Sequence, residues 1–148
     1  MKQPIMAIDV GTHRIGVAVS DDKHRMALPL RTVDARRRGE AVRELGDLVD
    51  EYRIGELVVG WPLEMGGGEG RAVDRVREVL NQLERELKRR GYEEMPVHQW
   101  DERLTTTAAD RLLIEADMSR ARRKETVDQV AACKILEGFL DHRHRVEG

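Results

Sequence analysis

The sequence has little sulfur chemistry to offer. Its 148 residues include one cysteine, Cys133, so no internal disulfide can form and no zinc knuckle is present. Its neighbours Ala131, Ala132, Ile135 and Leu136 mark Cys133 as a small core residue. No apolar run approaches the roughly 20 residues that a membrane helix needs. The start of the chain, "MKQPIMAIDVG", pairs a short apolar run with one Lys, too little for a signal peptide. A soluble, cytoplasmic protein without a membrane partner is the expectation. Internal repeats and low-complexity linkers are also missing. Neither sign of charge dominates: 26 Lys and Arg stand against 28 Asp and Glu, for a formal charge of −2. Net charge therefore points neither toward nor away from nucleic acid. The basic residues do cluster, at Arg36-Arg37-Arg38, at Lys88-Arg89-Arg90, and at Arg120, Arg122, Arg123 and Lys124.

The length fits one domain, residues 1–148, with a hydrophobic core that needs no staples. Ile5 to Val10 is a nearly unbroken apolar run, the mark of a strand covered on both faces. Gly11-Thr12-His13 supplies a turn, and Ile15 to Ser20 completes a hairpin. Met26 to Val33 reads as a third strand, with Pro29 suited to an edge, where its missing N–H costs nothing. Glu40 to Tyr52 and Arg71 to Arg90 carry apolar residues at helical spacing, and Gly91 ends the second helix. Between them lie the strand Glu56 to Gly60 and a Gly-rich loop, Trp61 to Gly70. Pro96 to Trp100 is a fifth strand. Helices follow at Thr105 to Ala116 and Thr126 to Leu140, and residues 142–148 form a polar tail expected to fray. The order predicts an α/β fold: a mixed five-stranded sheet flanked by helices on both faces, with strands one, four and five parallel and strand two antiparallel to strand one.

Three acidic positions stand out. Asp9 sits inside the first strand, where an uncompensated carboxylate is strongly unfavourable. Asp101 and Glu102 directly follow the fifth strand, and Asp128 lies in the first turn of the last helix. Each has a structural explanation on its own, as a satisfied core group or as an acid at a helix N-terminus. Together they can meet at the carboxyl edge of a parallel sheet, where sites gather. Converging carboxylates remain ionised beside divalent cations. An all-oxygen set without His or Cys suits Mg²⁺ or Mn²⁺. Two such ions about 3.5–4 Å apart would support attack of water on a phosphodiester. On this reading Asp9, Asp101, Glu102 and Asp128 are the catalytic candidates and Asp9, Asp101 and Asp128 the metal ligands, Asp101 being preferred as the first residue beyond its strand.

Arg14, Arg103, Arg122, Arg123 and Lys124 flank the acidic motifs and are candidate phosphate contacts. The Gly-rich loop is not a P-loop, because no Gly-Lys-Ser/Thr follows; it is either a connection or a substrate contact. Trp61 and Trp100 are candidates for base stacking, with core packing the stronger expectation for Trp100. His142 and His144 lack further ligands for a metal site.

Four stretches in order resemble the YqgF/RuvX family of pre-16S rRNA nucleases, also described as Holliday junction resolvases: "IDVGTHRIGVAVSD" (Ile8–Asp21), "VVGWPLEMGGGEGRAV" (Val58–Val73), "DERLTT" (Asp101–Thr106) and "VDQVAACKIL" (Val127–Leu136). The chain departs from the family at Gly66 and Gly68, where Asp and Thr are usual, and at Trp61, where an aliphatic residue is usual. The resemblance implies an RNase H-like fold. It also implies endonucleolytic cleavage of structured RNA or DNA, and maturation of the 5′ end of small-subunit rRNA. Partners would be precursor rRNA, branched DNA or pre-ribosomal particles, with the protein a monomer or a homodimer. Two rival readings fit parts of the pattern. The opening "DVGT" also resembles the phosphate loop of actin-like ATPases, but 148 residues supply one domain rather than two. A non-catalytic RNA-binding domain would need only a basic face.

Overall fold

The apolar run at the start of the chain forms β1 (Ile5–Val10), and the turn after it returns as β2 (Arg14–Ser20) in antiparallel register. The computed structural model describes residues 2–104 and 120–147, with the side chains of the second stretch described from Val127 on. β3 (Ala27–Asp34) pairs antiparallel with β2. Then come α1 (Arg38–Tyr52), β4 (Glu56–Trp61), α2 (Arg71–Arg89) and β5 (Val97–Asp101). A single 3₁₀ turn, Glu102–Leu104, follows β5, and α3 (Arg120–Glu147) is the last element. The sheet order is β3-β2-β1-β4-β5, with β4 parallel to both β1 and β5. The mixed five-stranded sheet with helices on both faces is therefore the fold of the chain. The predicted helix at Thr105–Ala116 lies outside the described residues.

Strand parity divides the interior into two layers. Met6, Ile8, Val10, Ile15, Val17, Leu57, Val59 and Trp61 face α1 and α2 in the larger core. Ile5, Ala7, Ala18 and Val58 face α3, meeting Ala132, Ile135, Leu136 and Phe139. Both faces of β1 are covered, which explains its unbroken apolar sequence. Pro29 sits on the edge strand β3, as its missing donor requires.

The boundaries shift where tertiary contacts extend an element. β2 begins at Arg14 and β4 runs on through Trp61. The polar segment after Leu140 does not fray: α3 continues to Glu147. Within that extension Nη1 and Nη2 of Arg143 donate to Glu56 of β4, at 2.9 and 2.7 Å. α2 ends as expected, with Gly91 at φ 95° and its N–H donated to the Lys88 carbonyl. Trp61 is buried, and Arg77 lies over its ring, so it is a packing residue rather than a base-stacking platform. Trp100 packs edge-on against Phe139.

Candidate active site at the carboxyl edge of the sheet

Asp9 is the fifth residue of β1 and shares its parity with Ile5 and Ala7, so its side chain stands on the α3 face. Its direct partner across the β1–β2 ladder is Gly16, and paired residues point to the same side. Gly16 explains how α3 arrives there. A Cβ at this position would collide with the backbone carbonyl of Asp128, so the helix rests on bare strand backbone. Helix and Asp128 are thereby brought to the strand position opposite Asp9.

Gly60 plays the corresponding part on β4. It shares the parity of Val58 and faces α3, and a Cβ there would lie 2.6 Å from Ile135 Cδ1 and 3.0 Å from Glu102 Oε1. The Glu102 carboxylate therefore also lies on the α3 face, just past the end of β5. Asp9, Glu102 and Asp128 share one face of the sheet at one edge.

Asp101 is directed elsewhere. It is the last residue of β5, paired with Trp61, and its parity matches Val97, which packs against the α1–α2 core. Its carboxylate accepts from Arg103 Nε at 3.0 Å to each oxygen and from Nη2 at 2.7 Å. The Arg103 backbone N–H donates to it as well, at 3.0 Å. These bonds, led by the Arg103 side chain, hold the Asp101 carboxyl below the usual carboxylate range. β5 extends one residue further than the sequence suggests, and the pleat turns Asp101 toward the α1–α2 face and Glu102 toward the α3 face.

Arg14 does lie at the edge, on the α3 face, with its Nε donating to Asp128 Oδ2 at 2.8 Å. Arg103 is committed to Asp101 and to the Gly-rich loop. Arg122, Arg123 and Lys124 belong to the first turns of α3, and their side chains lie outside the described residues. Gly16 and Gly60, the two positions that admit α3, were not singled out from the sequence; their parity with Asp9 and Val58 was the available signal.

Among the described residues, no three His, Cys, Asp or Glu side chains are arranged to hold one ion between them. The donor chemistry of Asp9, Glu102 and Asp128 nonetheless fits a hard divalent cation, being oxygen throughout. No helix among the described residues is long and apolar enough to cross a membrane.

The family model described as "RuvX: Holliday junction resolvase" matches residues 3–142. The chain belongs to the RuvX family. Among curated RuvX relatives, a Moorella thermoacetica protein named "Putative pre-16S rRNA nuclease" is 46% identical over 137 residues, covering 93% of this chain and 94% of that one. A Roseobacter denitrificans protein of the same name is 44% identical, covering 93% of this chain and 82% of that one. The family is one of nucleases by the names of these members. Thermus thermophilus RuvC, solved in complex with a Holliday junction substrate, superimposes with a TM-score of 0.61 over 96% of both chains at 15% identity. That likeness establishes the RNase H-like fold.

Proposed function

We propose that this RuvX-family chain is a divalent-metal-dependent endonuclease that cleaves structured nucleic acid, with the 5′ region of precursor small-subunit rRNA as its substrate. The supporting observation is the placement of Asp9, Glu102 and Asp128 on one face at the carboxyl edge of the sheet, created by the close approach of α3 over Gly16. Asp9, Glu102 and Asp128 would hold Mg²⁺ or Mn²⁺. Such an ion would supply charge neutralisation at the phosphodiester and acidify a nearby water. Arg14, 41% exposed and on the same face, contacts a phosphate of the bound strand and orients it along the edge. Arg122, Arg123 and Lys124, one to two turns before Asp128 on the same helix, extend that backbone contact. The partner is precursor rRNA, free or within a pre-ribosomal particle.

The RuvX description as a Holliday junction resolvase favours branched DNA as the second reading. One experiment separates the two. Purified protein is incubated with a precursor rRNA 5′ leader, with pre-ribosomal particles, and with a four-way DNA junction. Each incubation contains Mg²⁺, Mn²⁺ or EDTA. Metal-dependent cutting of the RNA substrates, lost in Asp9→Asn and Glu102→Gln, supports the proposal. Cutting of the junction alone transfers the function to DNA. Cutting that survives EDTA or both substitutions overturns the site.

A further inference from the structure

The Gly-rich loop between β4 and α2 is held at both ends. At its far end Glu69 accepts from Arg77 Nη2 at 2.9 Å and from Trp61 Nε1 at 3.5 Å. Within it, Gly67 N–H donates to the Glu64 carbonyl at 2.7 Å, and Glu64 N–H donates to the Gly68 carbonyl at 2.9 Å. Gly67 takes φ 87°, a conformation that favours glycine. The turn is therefore closed by its own backbone. Arg103, just past the end of β5, hydrogen-bonds to it. Nη1 of that side chain reaches the carbonyls of Glu64 and Met65 at 3.4 and 3.5 Å, the long end of the hydrogen-bond range.

Arg103 in turn is set by Asp101, which grips the opposite side of the guanidinium through both oxygens. A planar fork held along one side presents its remaining N–H groups in a fixed direction. Asp101 and Arg103 also bracket Glu102, the residue that turns to the other face. We propose that Asp101 and Arg103 form a latch: Arg103 is a positioning residue that fixes the loop 64–70 against the end of β5, on the sheet face opposite Glu102, and so sets the rim of the nucleic-acid groove at the carboxyl edge. The groove rests on the nuclease reading; the latch does not.

The latch differs from a direct phosphate contact in what each substitution does. If Arg103 served substrate directly, Asp101 would restrain it, and Asp101→Asn would free it to bind nucleic acid more tightly. Arg103→Lys would keep most of the binding, since the charge remains. In a latch the bidentate geometry is what counts, so Arg103→Lys and Asp101→Asn act alike and the double variant adds nothing.

The test is amide hydrogen exchange on the full chain without substrate, comparing wild type, Arg103→Lys, Asp101→Asn and the double variant. Exchange at Glu64 and Gly67 is expected to rise about tenfold in each variant and no further in the double. Amides in α1 and β1 should stay unchanged, showing that the fold is intact. With nucleic acid, KM is expected to rise by about five- to tenfold, and by more than kcat falls. Unchanged exchange at Glu64 and Gly67 overturns the latch, as does tighter binding by Asp101→Asn. Failure of Asp9→Asn to abolish cutting bears on the nuclease reading alone, because the exchange measurement needs no substrate.

Discussion

Gly16 and Asp128 are in backbone contact: the helix carbonyl occupies the space that any side chain at position 16 would fill. Because Gly16 is the ladder partner of Asp9, one missing methyl group sets the distance between the first and last acidic elements of the edge. Gly16→Ala should force α3 outward, costing about 1–3 kcal/mol. It should also lower cleavage by about 100-fold, as expected when catalytic groups are displaced by an ångström. Urea unfolding and single-turnover cleavage measure the two effects, and a variant with wild-type values in both would contradict this packing.

Metal titration distinguishes the two acids of the "DERLTT" stretch. Calorimetry with Mn²⁺ should show binding by wild type and Asp101→Asn, and its loss in Asp9→Asn, Glu102→Gln and Asp128→Asn. Cleavage in the last three should fall by about two orders of magnitude or more. Loss of Mn²⁺ binding in Asp101→Asn, with retention in Glu102→Gln, would reverse the assignment.

Much of this was legible beforehand. The all-apolar β1, the hairpin, the edge position of Pro29 and the helix stop at Gly91 all follow from local chemistry and appear where expected. The orientation of Asp101 against Glu102 does not, because a pleat inverts it with every residue and the pairing of Asp101 with Trp61 carries β5 one residue past Trp100. Parity counted from Val97, inward toward α1 and α2, or from Trp100, inward toward α3, decides it. The end of α3 was hidden for another reason. "DHRHRVEG" has no apolar stripe, and its helix is joined to the sheet by an ion pair to Glu56, 87 residues away.

Removing the Arg14 guanidinium should affect both the edge and its substrate. In Arg14→Gln the Asp128 carboxylate loses a charged donor at 2.8 Å, a partly exposed contact of up to about 1 kcal/mol. The slope of log binding constant against log salt should fall in magnitude by about one, the signature of one lost phosphate contact. Filter binding across a salt series reads this directly, and an unchanged slope would remove Arg14 from the substrate contacts.

Acid should weaken the fold through Glu56. Hydrogen bonds from Arg143, aided by His98, lower its carboxyl from 4.5 to about 2. The native state thus binds this proton less readily than the unfolded chain does. The stability it contributes is complete above about pH 4.5 and is lost as pH falls toward 2. Allowing for solvent screening, wild type should lose about 1 kcal/mol more than Glu56→Gln between pH 6 and pH 3. Urea midpoints at the two pH values provide the comparison; equal losses would show that the Arg143 pair contributes nothing.

The seat of α3 over Gly16 and Gly60 has a bearing on synthesis as well as on catalysis. Asp9 is translated early and Asp128 late, and the two acids become neighbours only when the last helix has docked. On the proposed assignment, a nascent chain still on the ribosome carries an incomplete nuclease. Cutting ability would then arise only with the closing of the fold.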